Sequence, residues 1–474
     1  MQTATDLLTS VGSHLISGWF ELDTWIVITA ALTAMACSIP GCFLVLRRQS
    51  MIGDALTHTV LPGIVAAFIL RQYFGTLGWF GPSSADSRTT FDTASYAMMF
   101  AGAILTGGAT AILTEWIQRQ GRVENSAALG VVYTSLFALG LLMIRLVADS
   151  VHIDPDCVLY GNIETVWTGP GHIPRAAWIG GAALMMNSLL VACFFKELRI
   201  STFDPALASS LGINSTAIHY VLMSVTAVTA VAAFESVGNI LVVAMLIVPP
   251  ATAHLLTDRL WVMLVLAALC ASLSAVLGHA MALVLPPLLM SRFSATPLFE
   301  GVDVSTLDAS TSGMQAVATG LLFVMAMLFG PRHGLIVRVT HRLRLALRIA
   351  AEDILGALYR DNETAPNPTH FLSTGRRSAT YRAAAWNLRR KGLVAGTASE
   401  PFLTDKGRIA ARQLIRAHRL WESYMERHFD VPGDHLHEAA HRVEHFLDPE
   451  LRDQLARELD SPETDPHGRD IPGS

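Results

Sequence analysis

At 474 residues, with 51% hydrophobic and 15% charged side chains and a mean hydropathy of +0.41, the chain is too apolar for an ordinary soluble protein. Its formal charge of −5 is unevenly placed: residues 341–474 hold 20 Lys/Arg and 20 Asp/Glu, leaving 14 and 19 for the first 340. That split predicts a transmembrane domain over 1–340 and a near-neutral soluble domain over 341–474. The five cysteines (Cys37, Cys42, Cys157, Cys193, Cys270) include no CxxC pair, which argues against a disulfide framework and a thiolate metal site.

Residues 1–24 lack a secretory signal's basic start and cleavage site, and their spaced apolar residues suggest a short helix lying at the membrane interface. Runs of about 20 apolar residues, long enough to cross a bilayer, follow near 25–46, 51–70, 95–117, 127–148, 176–195, 216–235, 238–256, 260–287 and 313–330. The reading is about nine transmembrane helices, with the sixth and seventh the hardest to separate. If each run crosses once, Arg47, Arg48, Arg119, Arg122, Lys196, Arg199, Arg259 and Arg332 fall on one side. By the positive-inside rule that side is the cytoplasm, which puts the N-terminus outside and residues 341–474 inside. Of the external loops, the one holding His152, Asp154, Asp156 and Cys157 reads as solvated loop ahead of metal landing site.

Residues 46–63, LRRQSMIGDALTHTVLPG, join the first two runs through a basic pair and a polar turn. Asp54 and His58 follow one helical turn apart, so they share a face. Ionisable groups inside a span usually face a bundle interior or a pathway. Two readings stand here: a polar packing face, or the lining of a transport path. Farther on, FDPALASSLGIN (203–214) is a short amphipathic segment, with Asp204 a helix cap and Pro205 its first residue, suited to docking a cytoplasmic partner. In residues 235–259, Pro249 and Pro250 break a span and His254 follows, a pattern tolerated where a helix lines a cavity or packs against neighbours.

These stretches, with ENSAALGVVYTSLFALG (124–140), VHIDPDCVLYGNIE (151–164) and LFGPRHGLI (328–336), resemble the permease subunits of ATP-driven manganese, zinc and iron importers. The resemblance covers about residues 25–336. It implies two permeases, identical or paralogous, two cytoplasmic ATPase subunits, and an extracytoplasmic metal-binding protein that delivers the ion. Asp54, His58 and His254 then belong to the transport pathway. Phe203, Asp204, Pro205, Leu211 and Gly212 belong to the segment that couples to the ATPase. The chain has no GxxxxGK[ST] phosphate loop, so no nucleotide site is expected on it, and it is read as no enzyme itself.

In the soluble part, residues 349–360 read as a helix and 381–393 as a basic helix; 392–408 read as a two-stranded wing leading into a long helix near 406–428. The pattern is winged-helix-like over about 349–410, although NPTHFLSTG occupies the place of the motif's second helix. His418 and Glu422 lie four apart on one helix, and His437, His441, Glu444 and His445 form a stripe on another. Imidazoles and carboxylates without thiolate suit Mn²⁺, Fe²⁺ or Zn²⁺ bound outside a closed structural zinc site. HEAAH (437–441) also fits the HExxH zinc-protease pattern, but the residues that extend it in metzincins are missing.

HRLWESYMERHFDVPGDHLHEAAHRVEHFLDPEL, with the later DPHGRDIP, resembles the metal-binding and dimerisation region of repressors of the diphtheria-toxin-repressor type. That resemblance implies one site of His418, Glu422 and His437 and a second of Asp353, His441, Glu444 and His445, over a helical part near 411–474. The expected fold is an all-α polytopic membrane domain followed by a cytoplasmic, mainly α, winged-helix-like and metal-binding domain. The expected function is a metal-importer permease whose tail binds metal and regulates transport in cis. The alternative is a membrane-tethered, metal-responsive transcription regulator. Membrane lipid is an expected partner in both, and DNA in the alternative alone.

Overall fold

The structure is a computed structural model that describes residues 21–76, 93–147, 163–166, 173–293, 309–332, 334–363, 378–397, 400–429 and 433–473. The expected interfacial helix, most of the external loops with the HIDPDC turn, and the NPTHFLSTG segment lie outside these residues. The chain divides into two compact units, Met1–Leu335 and Ile336–Ser474.

The first unit is helical throughout its described length. Its long helices are α1 (Glu21–Leu46), α2 (Ser50–Thr76), α3 (Thr93–Gly121), α4 (Asn125–Val147), α5 (Arg175–Cys193), α8 (Ser215–Val237), α9 (Asn239–Leu256), α10 (Leu260–Phe293) and α11 (Thr311–Phe329). Two shorter helices, α6 (Phe195–Phe203) and α7 (Pro205–Ser210), stand between α5 and α8. Among the described residues, six helices are long and apolar enough to cross a membrane: α1, α4, α5, α8, α10 and α11. In α2 and α9 the apolar stretches are shorter, Leu61–Arg71 and Ile240–Leu256. The break between α8 and α9 falls at Gly238, whose φ of 76° and ψ of 163° suit glycine almost alone.

Helix α1 is the centre of this unit. Ile26, Ala30, Ala34, Cys37, Phe43 and Leu44 are all buried, and it packs against α5, α8, α9 and α10. Small residues set the close approaches. A Cβ on Gly63 of α2 would lie 2.4 Å from the Gly102 carbonyl oxygen of α3, and one on Gly102 would lie 2.3 Å from that of Gly63. The two backbones therefore touch, as small residues allow in membrane helix pairs. Buried Asn187 of α5 ties three helices, donating to Ala36 O (2.8 Å) of α1 and Thr229 Oγ1 (2.9 Å) of α8.

The second unit holds α12 (Leu335–Glu363), which begins one residue earlier, α13 (Ala379–Arg390), a hairpin of β1 (Val394–Gly396) and β2 (Pro401–Leu403), α14 (Asp405–His428), α15 (Gly433–Val443) and α16 (Pro449–Glu458). The strands pair antiparallel, Val394 with Leu403 and Gly396 with Pro401. Ile354, Leu355 and Leu358 of α12 meet Ala384 and Leu388 of α13, Val394, Leu403 and Ala411 in one core. Thr404 caps α14 by accepting from Gly407 N at 3.1 Å.

Two elements differ from the sequence reading. The helix predicted over 349–360 is the second half of α12, because no proline interrupts residues 335–363. The stripe assigned to one helix is divided: α15 ends at Val443, and Glu444–Phe446 form a 3₁₀ turn. After Leu447, Asp448 and Pro449 open α16, so the chain tightens and turns where the α-helix was expected to continue.

Candidate metal centres of the second unit

Helix α14 sets His418 and Glu422 one turn apart and buries both, their side chains 4% and 2% exposed. From α15, His437 reaches the same point. His418 Nε2 lies 2.9 Å from His437 Nδ1 and 3.0 Å from Glu422 Oε1, which is itself 3.0 Å from His437 Nδ1.

The second cluster draws on three elements. Asp353 comes from α12, His441 from the last turn of α15, and Glu444 and His445 from the 3₁₀ turn. Asp353 Oδ1 lies 3.2 Å from His445 Nε2 and 3.7 Å from His441 Nε2, and Glu444 Oε1 lies 2.9 Å from His441 Nδ1. Among the described residues, these are the two groups of three or more potential ligands whose donor atoms lie within 4.8 Å of one another.

Two carboxylates orient the rings from behind. Glu444 Oε2 accepts from His418 Nδ1 at 2.6 Å, so one carboxylate serves both clusters. Glu352, a residue the sequence reading did not single out, accepts from His445 Nδ1 at 2.9 Å and from Arg348 Nε at 2.9 Å. Holding Nδ1–H in this way directs the lone pair of Nε2 of each neutral ring into its cluster, the arrangement common around metal-bound histidines.

Burial opposes ionisation of Glu444, yet hydrogen bonds from His418 and His441 outweigh it and hold its pKa down at about 2. Glu422 and Glu352 are lowered against the same burial, Glu422 by His418 and His437, Glu352 by His445 and Arg348. Conversely, burial disfavours the charged form of His445, but Asp353 and Glu352 override it and push its pKa up to about 9. His418 is raised by Glu422 and Glu444 against its burial. Each cluster is thus a set of carboxylates that demands positive charge, met here by protons on imidazole.

The residues present fit a divalent metal. Asp353 Oδ1 is buried and makes no aligned hydrogen bond, although it faces two imidazoles. Donor spacings of 2.9–3.0 Å in the first cluster match the edge of an octahedron with bonds of about 2.1 Å. The donor set is nitrogen and oxygen only, which suits manganese, iron or zinc.

HEAAH does not assemble as a peptidase site. His437 turns to the first cluster and His441 to the second, while exposed Glu438 pairs with Arg442.

In the first unit, Asp54 and His58 share a face of α2, with Oδ1 and Nε2 3.6 Å apart. The His58 ring meets Phe137 edge-on at 5.0 Å and stacks on Tyr133 at 6.2 Å. His254 stands exposed in the last turn of α9 and belongs to neither metal-type group. Asp204 caps α7 by accepting from Leu207 N at 2.9 Å, and Pro205 is its first residue. The segment ends at Leu211 and Gly212, with Gly212 at φ 80° and Ile213 N returning to Ala208 O at 2.9 Å. Phe203, Leu207 and Leu211 form an exposed apolar ridge along this segment.

Comparison with known proteins finds matches to two parts of the chain. The profile of the iron dependent repressor metal binding and dimerisation domain matches residues 404–473, which hold every potential ligand except Asp353. The manganese transport system membrane protein MntD of Bacillus subtilis is 39% identical over 331 residues, 69% of this chain and 98% of its own. The zinc transport system membrane protein TroD of Treponema pallidum is 37% identical, over 71% of this chain and 82% of its own. The solved structure of PsaBC from Streptococcus pneumoniae in complex with Fab aligns with a TM-score of 0.50 at 27% identity, covering 69% of this chain and 97% of that one. The profile of the ABC 3 transport family matches residues 20–330, and with these relatives it establishes that the chain belongs to that family.

Proposed function

We propose that this chain is the permease subunit of an ATP-driven importer of divalent transition metal ions, manganese, zinc or iron, whose second unit binds the same class of ion and regulates transport in cis. The observation that carries the permease reading is the family match over 20–330, with manganese and zinc transport proteins as relatives. ATP hydrolysis belongs to a separate cytoplasmic subunit seated on the ridge of Phe203, Leu207 and Leu211, whose apolar side chains are exposed among the described residues. The other partners are an extracytoplasmic metal-binding protein and a second permease, identical or paralogous.

The spans are nine in this reading. The break at Gly238 between α8 and α9 supports counting them separately, and if each run crosses once the positive-inside rule supports a cytoplasmic second unit. Asp54 and His58 then lie within two turns of the cytoplasmic end of α2, at 1.5 Å per residue. That depth suits release of the transported ion better than its first capture, and His254 is assigned to the same pathway. Tyr133 and Phe137 hold the His58 ring against free rotation.

For the regulatory part, Asp353 is the decisive residue. It sits on α12, the helix that begins at Leu335 directly after α11, and its carboxylate joins His441, Glu444 and His445 from elsewhere in the unit. A bound divalent cation supplies the positive charge that these carboxylates otherwise obtain from protonated imidazoles. His418, Glu422 and His437 hold the first site, and Asp353, His441, Glu444 and His445 the second. Regulation requires that transporting and resting states bind the ion with different affinity. Uptake into vesicles loaded with graded internal metal tests it: wild type is expected to slow as internal metal rises, and His418→Ala with His441→Ala to lose that slowing. An identical dependence in wild type and variant overturns the regulatory reading and leaves the permease reading standing.

A further inference from the structure

At one end of the first unit, three polar side chains converge on a residue to which the transport reading gives no role. Arg47 lies at the end of α1, and its guanidinium donates to Ser201 Oγ at 3.0 Å and to Thr202 Oγ1 at 3.3 Å. His219 Nδ1 of α8 lies 3.5 Å from its Nη1. Ser201 and Thr202 are buried, 3% and 9% exposed, in the last turn of α6, immediately before Phe203 and the Asp204 cap. On the other side, Arg47 is three residues from the first residue of α2, the helix of Asp54 and His58. The intervening turn has little slack: Arg48 adopts φ 57°, and Gln49 N returns to Leu44 O at 2.9 Å.

Two further observations separate this from ordinary packing. The three partners above are neutral hydroxyls and an imidazole, and a guanidinium leaves hydroxyl acceptors more readily than a bidentate carboxylate. In addition, Arg47 lines a cavity of about 390 Å³ whose walls offer other acceptors. Thr114, 6% exposed, and Gln49 line this cavity and each holds a buried oxygen without a hydrogen-bond partner; Glu115, which already accepts from Tyr220 and Arg119, lines it as well. The guanidinium thus has both room to move and a second set of acceptors.

We propose that Arg47 is a positioning residue for transport: through Ser201 and Thr202 it ties the segment that couples to the ATPase to the helix carrying Asp54 and His58. This rests on the reading of 203–212 as the ATPase-docking segment. When that segment moves, Arg47 shifts between the hydroxyls of α6 and the acceptors of Gln49, Thr114 and Glu115. The start of α2 moves with it. Without the tie, the ATPase still docks, but its motion does not reach Asp54 and His58.

The test uses the intact permease–ATPase complex in proteoliposomes, reading Mn²⁺ transported per ATP hydrolysed together with co-purification of the ATPase. Arg47→Ala is expected to keep the ATPase bound and to lower the ratio about tenfold, the scale of one or two lost charge-assisted hydrogen bonds. Arg47→Lys is expected to recover part of that loss. Ser201→Ala with Thr202→Val, which leaves Arg47 in place, is expected to lower the ratio similarly, and provides the readout if Arg47→Ala does not fold. An unchanged ratio in these variants overturns the inference, as does loss of the ATPase from Arg47→Ala, which makes Arg47 part of the docking surface instead. The docking reading is judged separately: Phe203→Ala with Leu207→Ala must release the ATPase, and retention overturns that reading alone.

Discussion

Glu352 and Asp353 are neighbours on α12 with different roles in one cluster: Asp353 turns a buried oxygen toward His441 and His445, while Glu352 holds His445 from behind. Outer carboxylates of this kind typically govern 10–100-fold in metal affinity. Glu352→Gln is therefore expected to weaken metal binding at the Asp353 cluster by about that factor and to affect the His418 cluster only through its coupling to that site, as read by calorimetric titration. The charge state of His445 gives a second expectation. Its pKa is raised to about 9 from an ordinary 6.5, so in metal-free protein its contribution to stability is full below about pH 6.5. That contribution is lost as pH rises through about 9. Metal must displace the same proton, so metal affinity at this cluster should increase over that interval, with proton uptake or release followed in buffers of different ionisation enthalpy. The spacing of His418 and Glu422 is legible in the sequence because residues four apart share a helix face. Glu352 is not, since its role depends on which side of the His445 ring it meets.

At the scale of elements, several boundaries are set by local chemistry: Asp204 with Pro205 for α7, Thr404 for α14, and the apolar runs for the six long spans. The 3₁₀ turn at Glu444–Phe446 is not, because a stripe with helical spacing looks the same whether the last turn is tight or regular. For the same reason HEAAH reads as one motif in sequence, although its two histidines serve different clusters. How elements are tied is also hidden from periodicity. Buried Arg419 of α14 holds Glu363 at the end of α12 at 3.3 Å and Asp465 of the C-terminal loop at 3.6 Å. Arg419→Met leaves Asp465, 2% exposed at its side chain, without its cation. It should destabilise the second unit by about 3–5 kcal/mol, the usual result of removing one partner of a buried pair, with a matching fall in the urea midpoint of that unit's unfolding. Between α2 and α3, Gly63→Ala puts a Cβ 2.4 Å from the Gly102 carbonyl oxygen. The helices must part, and about 1–3 kcal/mol of stability is expected to go with them, measurable as a lower melting temperature in detergent.

For the whole molecule, composition alone separates an apolar portion from a charged one, and charge counts suffice for that because apolar and charged side chains suit different solvents. Composition does not carry the continuity of α12, from Leu335 behind the last span to Asp353 and beyond. Each residue inserted in a helix rotates the rest of that helix by about 100°. Two alanines inserted after His341 therefore turn the distal part of α12 by about 200° relative to its start, whereas four turn it only about 40° past a full turn. If regulation runs through this helix, two added residues abolish the slowing of uptake by internal metal and four largely preserve it. Metal binding itself is unaffected in both, since every potential ligand lies beyond the insertion.

Glu444 places one oxygen against His418 of the first cluster and the other against His441 of the second. If both clusters bind metal as proposed, filling either would fix that carboxylate in the orientation the other needs, and the two sites would favour each other's occupancy. The expected outcome is a threshold: little response to metal at low supply, then a steep one over a narrow range. Titration of the intact chain should give a Hill slope above one, which Glu352→Gln shifts to higher metal and Glu444→Gln flattens. If the proposed regulation holds, a protein that admits metal through one unit would read its abundance in the other as a choice between two states.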